Sequence, residues 1–238
     1  MFNKFADDYF VRFADTRGNY NIPKIEQINL EGQRLYLTPS GTKYPSMSTV
    51  TKLLSEDAIK AWRKRVGPEE AARVSNHASR RGTGVHKLAE HYVLGEDIDF
   101  KTTFRKCMPD AQLNWKGVKK CLDERLTEVR ASECQLFSHM LRLAGTTDCI
   151  GIFDGKLTVI DFKTSAKIKK EDWIQGYFLQ CNGYGQMWHE LTGELPDQIA
   201  IIIACDALPE PQVFVKPFGE HLPALKKLRL EYFKREGV

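Results

Sequence analysis

The chain has 238 residues, 42% of them hydrophobic and 28% charged, with 35 Lys and Arg against 31 Asp and Glu for a net charge of +4. That length supports a full hydrophobic core, and the composition excludes collagen-like, low-complexity and disulfide-stapled chains. No apolar run approaches the roughly 20 residues of a membrane span, so a soluble protein is expected.

Residues 1–33 are weakly patterned and read as an arm. The opening stretch carries Asp7 and Asp8 and lacks the features of a transit or secretory leader, which predicts a cytoplasmic location. Residues 34–44 read as a hairpin, with Leu35 and Leu37 on one face and Pro39-Ser40-Gly41 as the turn. Ser46 or Ser48 then caps a short helix to Leu54, and Ser55 caps a second to about Val66. Gly67-Pro68 breaks the chain and opens a helix over 68–94, in which Gly82 and Gly84 are points of interruption; another helix is expected over 109–129. From residue 132 the texture turns strand-like, over 132–139 and 143–163, with Asp154-Gly155 as a tight turn. Helical spacing returns over 171–191 and Gly193 closes it. The apolar run 199–205 reads as a strand buried on both faces, followed by a strand over 212–216 and a helix over 222–235. The expectation is an α/β fold: an arm with a hairpin (1–43), a helical region (44–130) and an α/β core (131–238), in one structural domain.

The six cysteines, at positions 107, 121, 134, 149, 181 and 205, form no CxxC pair, which argues against zinc ribbons and for reduced thiols. The sequence has no P-loop, so no ATP site is expected. Between Lys60 and Lys87, eight basic residues face two acids, Glu69 and Glu70, for a local charge of +6. A concentrated basic face suits a polyanion, and Arg63, Lys64, Arg80, Arg81 and Lys87 are candidate DNA contacts. Trp62 is a candidate for stacking on a base, and Lys167, Lys169 and Lys170 for tracking a backbone.

The chemistry is concentrated in residues 145–163. If Asp154 and Gly155 form a two-residue hairpin loop, Phe153 pairs with Lys156, and Asp148 falls opposite Asp161 with Cβ atoms about 4.5–5.5 Å apart. Two carboxylates so placed repel each other, and a divalent cation between them removes the penalty. Lys163, two residues beyond Asp161, projects from the same face, where it can hold a phosphate.

Asp148, then Ile160-Asp161-Phe162-Lys163, then Gln180-x-x-x-Tyr184 on the following helix resembles the PD-(D/E)XK nuclease superfamily in its RecB-like branch. Tyr44-Pro-Ser-Met-Ser-Thr-Val, Gly84-Val-His86-Lys-Leu-Ala-Glu90, Glu133, Gly145-x-x-Asp148-Cys149 and Asp161-Phe-Lys163-Thr-Ser165 extend the likeness toward exonucleases of mitochondrial genome maintenance and their phage-encoded relatives. The resemblance implies a restriction-endonuclease-like core and a Mg²⁺- or Mn²⁺-dependent DNA exonuclease, with a bacterial or phage-infected cell as its setting. By position it implies His86, Asp148, Asp161 and the Phe162 carbonyl as metal ligands, Lys163 as the catalytic lysine, Gln180 and Tyr184 as residues supporting the catalytic site, and Glu133 as a further acid of the catalytic set upstream of Asp148. Ser165 and Lys167 would touch DNA. Some members of the branch carry an iron–sulfur cluster with three cysteines near the C-terminus; only Cys205 lies beyond Cys181 here, so no cluster is expected. A double-strand-end exonuclease, a flap endonuclease and a non-catalytic DNA-binding factor on a nuclease fold are the alternatives.

Overall fold

A computed structural model describes residues 13–30 and 32–237; the acidic opening stretch with Asp7 and Asp8 lies outside the described residues. Its centre is a six-stranded mixed sheet in the order β1-β5-β6-β7-β8-β9: Ala14–Asp15, Leu126–Ser138, Leu143–Phe153, Lys156–Ser165, Gln198–Cys205 and Gln212–Pro217. Strands β5, β6 and β7 are antiparallel neighbours, β8 runs parallel to β7, and β9 returns antiparallel to β8. A second, three-stranded sheet joins β2 (Glu26–Leu30), β3 (Gln33–Leu37) and β4 (Lys43–Pro45).

Helices cover both faces of the large sheet, and alternation along β8 shows why. Ile199, Ile201 and Ile203 pack into one apolar core with α6 (Gln175–Thr192) and α7 (Leu222–Glu236), where Phe178, Trp188 and Leu225 are buried. Ala200, Ile202 and Ala204 face a second core with α3 (Pro68–Val93) and α5 (Pro109–Arg125), around Leu88, Tyr92 and Trp115. The uninterrupted apolar run is therefore a strand buried on both sides, as parallel pairing to β7 requires. Crossing from β7 to its parallel neighbour takes a long connection, and α6 supplies it.

The hairpin between β6 and β7 turns at Asp154 (φ 54°) and Gly155 (φ 74°), the double left-handed geometry of a type I′ turn. Pairing follows the expected register from Phe153–Lys156 to Cys149–Ile160. Strand β5 is bulged near Glu128 and Ala131, and Gly151 opposite has no room for a side chain: a Cβ would lie 2.1 Å from the Glu128 carbonyl oxygen.

Several elements depart from expectation. Helix α3 runs unbroken through Gly82 and Gly84, because Gly84 is a packing contact; a Cβ there would sit 3.1 Å from the Cys107 sulfur and 3.2 Å from Ala111. Helix α4 (Asp97–Lys106) was not expected; it buries Phe100 alone, so its apolar spacing is thin. Helix α5 ends at Arg125, and Leu126 already has extended backbone angles that begin β5, six residues before the expected strand. The hairpin exists, but its buried side chain is Tyr36 rather than Leu35 or Leu37, and β2 adds a third strand. Ser46 caps α1 (Met47–Thr51) through a bond from the Thr49 amide, whereas Ser55 precedes α2 (Glu56–Val66) without capping it through its side chain. Among the described residues, no helix is long and apolar enough to cross a membrane.

Candidate metal centre and cleft

Three carboxylates lie in one row across three strands. Glu133 sits between the pairs Ser132–Cys149 and Cys134–Thr147, hence opposite Asp148. Asp148 is one step beyond the last β6–β7 pair, Cys149–Ile160, hence level with Asp161. At that step the ladder gives way: the Phe162 amide donates to Asp148 Oδ2 at 2.8 Å instead of to a strand carbonyl. Strands β6 and β7 part here, and the Asp148 carboxylate occupies the fork. Glu133 has φ 45°, a left-handed backbone that a non-glycine residue in a strand holds only when its surroundings impose it.

Helix α3 brings His86 to the same point, with Nδ1 3.5 Å from Asp148 Oδ2 and the ring edge-on to Phe162. One ligand atom each from His86, Glu133 and Asp148 lie within 4.8 Å of one another. Asp161 stands outside that trio and pairs with the Lys163 ammonium. Both Asp161 carboxylate oxygens are buried, and among the described residues the Lys163 ammonium is the one donor that reaches them. A buried carboxylate answered by a single ammonium, beside two more acids and an imidazole, is a donor set that a hard divalent cation fits. The trio assembled by the fold therefore includes Glu133, which was expected among the catalytic residues but not among the metal ligands.

The charges hold one another in unusual states. Loss of hydration in the cleft and then the neighbouring Asp148 and Glu90 push the Glu133 carboxyl up to about 7, although the residue as a whole is exposed. Asp161 is pushed up to about 6, by burial first and by Asp148, against the pull of Lys163. Burial would also raise Asp148, but His86 and Lys163 outweigh it and hold the carboxyl below its usual range. His86 is raised despite its own burial, because Asp148 faces it. Lys163 is likewise raised despite burial, by Asp161 and Asp148, so it remains an ammonium at any ordinary pH.

His86, Glu133, Asp148 and Lys163 line a cleft of about 480 Å³, with Asp161 buried behind them. Gln180 donates to the Tyr184 hydroxyl at 3.1 Å on α6, and the Tyr184 ring rests on Gly145, where a Cβ would fall 2.9 Å from it. That contact gives the Gly145-x-x-Asp148 spacing a physical reason. Lys163 also lies 5.2 Å over the Tyr177 ring. Glu90 lines the cleft from α3, and the imidazole of His86 faces Asp148. Arg34 and Tyr36 from the small sheet, Thr83 from α3 and Thr146 from β6 line it too; no motif marks Arg34 and Tyr36, because three-dimensional packing of the small sheet is what brings them there.

The expected DNA contacts divide. Arg63 and Lys64 on α2 and Arg80 and Lys87 on α3 are exposed, and Lys87 reaches the cleft. Arg81 does not belong with them: it is 3% exposed and pairs with Asp206, which also accepts from Asn114 at 2.8 Å. Ser165 is also buried; its hydroxyl donates to the Lys167 carbonyl at 2.6 Å and accepts from the Lys167 amide, closing the turn after β7. Lys167 itself is exposed, Trp62 is half-buried, and the other tyrosine and tryptophan of α6, Tyr184 and Trp188, are buried.

No family model and no curated protein matches the chain. Among solved structures, one described as the crystal structure of SSO0001 aligns at 13% identity with a TM-score of 0.35, covering 64% of this chain and 75% of that one.

Proposed function

We propose that this protein is a metal-dependent deoxyribonuclease on a restriction-endonuclease-like core, acting as an exonuclease on single-stranded ends. The element order α5, β5-β6-β7, α6, β8 supports the core assignment. The observation that carries the activity is the row of Glu133, Asp148 and Asp161 at the fork between β6 and β7, faced by His86 and Lys163. Such a row weakens the fold unless something cationic occupies it.

Glu133, Asp148 and His86 would hold Mg²⁺ or Mn²⁺, with Asp161 and the Phe162 carbonyl alongside. A bound divalent ion supplies Lewis-acid polarisation of a phosphoryl oxygen. Lys163 cannot serve as a neutral-pH base, since its acids keep it protonated; its role is a fixed positive charge beside the phosphate. Gln180 and Tyr184 orient the wall against which the phosphate rests. The exposed cations of α2 and α3 attract the strand.

The experiment is degradation of end-labelled single- and double-stranded DNA with and without Mg²⁺ or Mn²⁺, using the native chain and Asp161→Asn. Metal-dependent release of nucleotides from single strands, abolished in the variant while DNA binding persists, is the expected result. Binding without cleavage under every metal would make the protein a DNA-binding factor and overturn the enzymatic reading.

A further inference from the structure

Two more depressions adjoin the cleft, one on each side. Thr83 and Lys87 are shared with a depression of about 400 Å³ whose wall also carries Arg80 and Lys106 and no acid. Ser48 and Gln180 are shared with a groove of about 450 Å³ between α1 and the start of α6, lined by Lys52, Leu54, Trp173 and Tyr177. A cleft that continues in two directions suits a linear polymer better than a small molecule.

The second groove differs in chemistry from the first. Trp173 is 65% exposed there, beside Leu54 at 51%, whereas Trp115 and Trp188 are fully buried. The Lys170 ammonium stands 5.6 Å from the Trp173 ring, and Lys52 is exposed on the opposite wall; Asp172 is the one acid among the lining residues. A large aromatic face open to water, flanked by cations and continuous with a cleft that suits phosphate, is what an unpaired nucleotide recognises: the base stacks and the neighbouring phosphate meets an ammonium. Bases inside a duplex already stack on one another and offer no such face.

Resting on the deoxyribonuclease reading, we propose that the Trp173 groove is a base-stacking subsite for unpaired nucleotides of a DNA strand whose scissile phosphate lies in the cleft. It makes Trp173 a determinant of single-strand preference, separate from the residues that act on the phosphate.

The test uses the full chain carrying Asp161→Asn, so that DNA is bound without being cut, with Trp173→Ala and Trp173→Phe added in turn. Equilibrium binding is measured for a single-stranded oligonucleotide, the same strand with abasic sites, and a blunt duplex. Trp173→Ala should weaken binding of the base-bearing strand at least about fivefold, Trp173→Phe should restore most of it, and the abasic strand should not distinguish the three. An alanine variant with unchanged affinity, or one that loses the same factor on abasic DNA, overturns the subsite. Because Trp173 is mostly exposed, matching thermal melts will separate a binding loss from a folding loss, and the phenylalanine variant decides the question if they do not match. If the protein with intact Trp173 binds no DNA at low salt, the deoxyribonuclease reading itself fails.

Discussion

Glu133 bears a left-handed backbone, two acidic neighbours and a carboxyl raised to about 7. An acid whose folded pKa exceeds its unfolded value favours the fold while protonated and loses that advantage as pH rises between the two. For Glu133 that interval runs from about 4.5 to about 7, and for Asp161 from about 3.8 to about 6. His86, also raised, stabilises the fold below 6.5 and stops doing so as pH climbs through its folded value. All three act in one direction, so in chelator the melting temperature should fall from pH 5 to pH 8. Glu133→Gln should raise the melting temperature at pH 8, change it little at pH 5, and flatten the profile, as saturating Mg²⁺ should in the native chain. A melting profile in chelator that is level or rises toward pH 8 would contradict this arrangement of charges. The position of Glu133 was legible through the resemblance, but its left-handed backbone and its place in the row were not, because both depend on how β5 pairs with β6. Arg80 and Arg81 show the same limit. Adjacent in sequence, they look alike, yet about 100° of helical rotation sends one to water and the other to Asp206.

Arg81, Asn114 and Asp206 join α3, α5 and the end of β8 in one polar contact beneath the helical layer. Removing Asp206 leaves the guanidinium of Arg81, 4% exposed at its side chain, without its counter-charge. Asp206→Ala should therefore lower unfolding free energy by about 3–5 kcal/mol, measured by urea denaturation in the presence of metal, and a loss below about 1 kcal/mol would show that water enters and compensates. Elements with one dominant pattern were readable in advance: β8 from its isoleucines, the β6–β7 hairpin from Asp154-Gly155, α6 from its spacing and Gly193. Those that failed had a mixed pattern. Leu126 and Val129 suit either the end of α5 or the start of β5, and pairing with β6 decides in favour of the strand. In β2 only Ile28 is even half-buried, so no alternation betrays it.

Over the whole molecule, the net charge of +4 conceals a division of labour. Within the basic window, Lys60 is paired with Glu56 and Arg73 with Glu70, and Arg81 is buried. Arg63, Lys64 and Arg80 are exposed and enter no ion pair among the described residues. Replacing these three together should weaken single-strand binding and lower the slope of log K against log salt by about 0.7 for each phosphate no longer neutralised, with turnover of short bound substrates nearly unchanged. An unaltered slope would move the entry path to Lys167 and Lys170. The unbroken course of α3 sets how Arg80 relates to the cleft. Its 26 residues span about 39 Å, so sequence offset along it is a physical distance and a rotational phase. One residue inserted between Arg80 and His86 would turn Arg80 about 100° relative to the imidazole and shift it about 1.5 Å. The same insertion before Pro68, where Gly67 turns the chain with φ 83°, leaves the phase of Arg80 to His86 untouched. The helix thus acts as a ruler, and length variation in this chain should be tolerated at its N-terminal joint and not along its shaft.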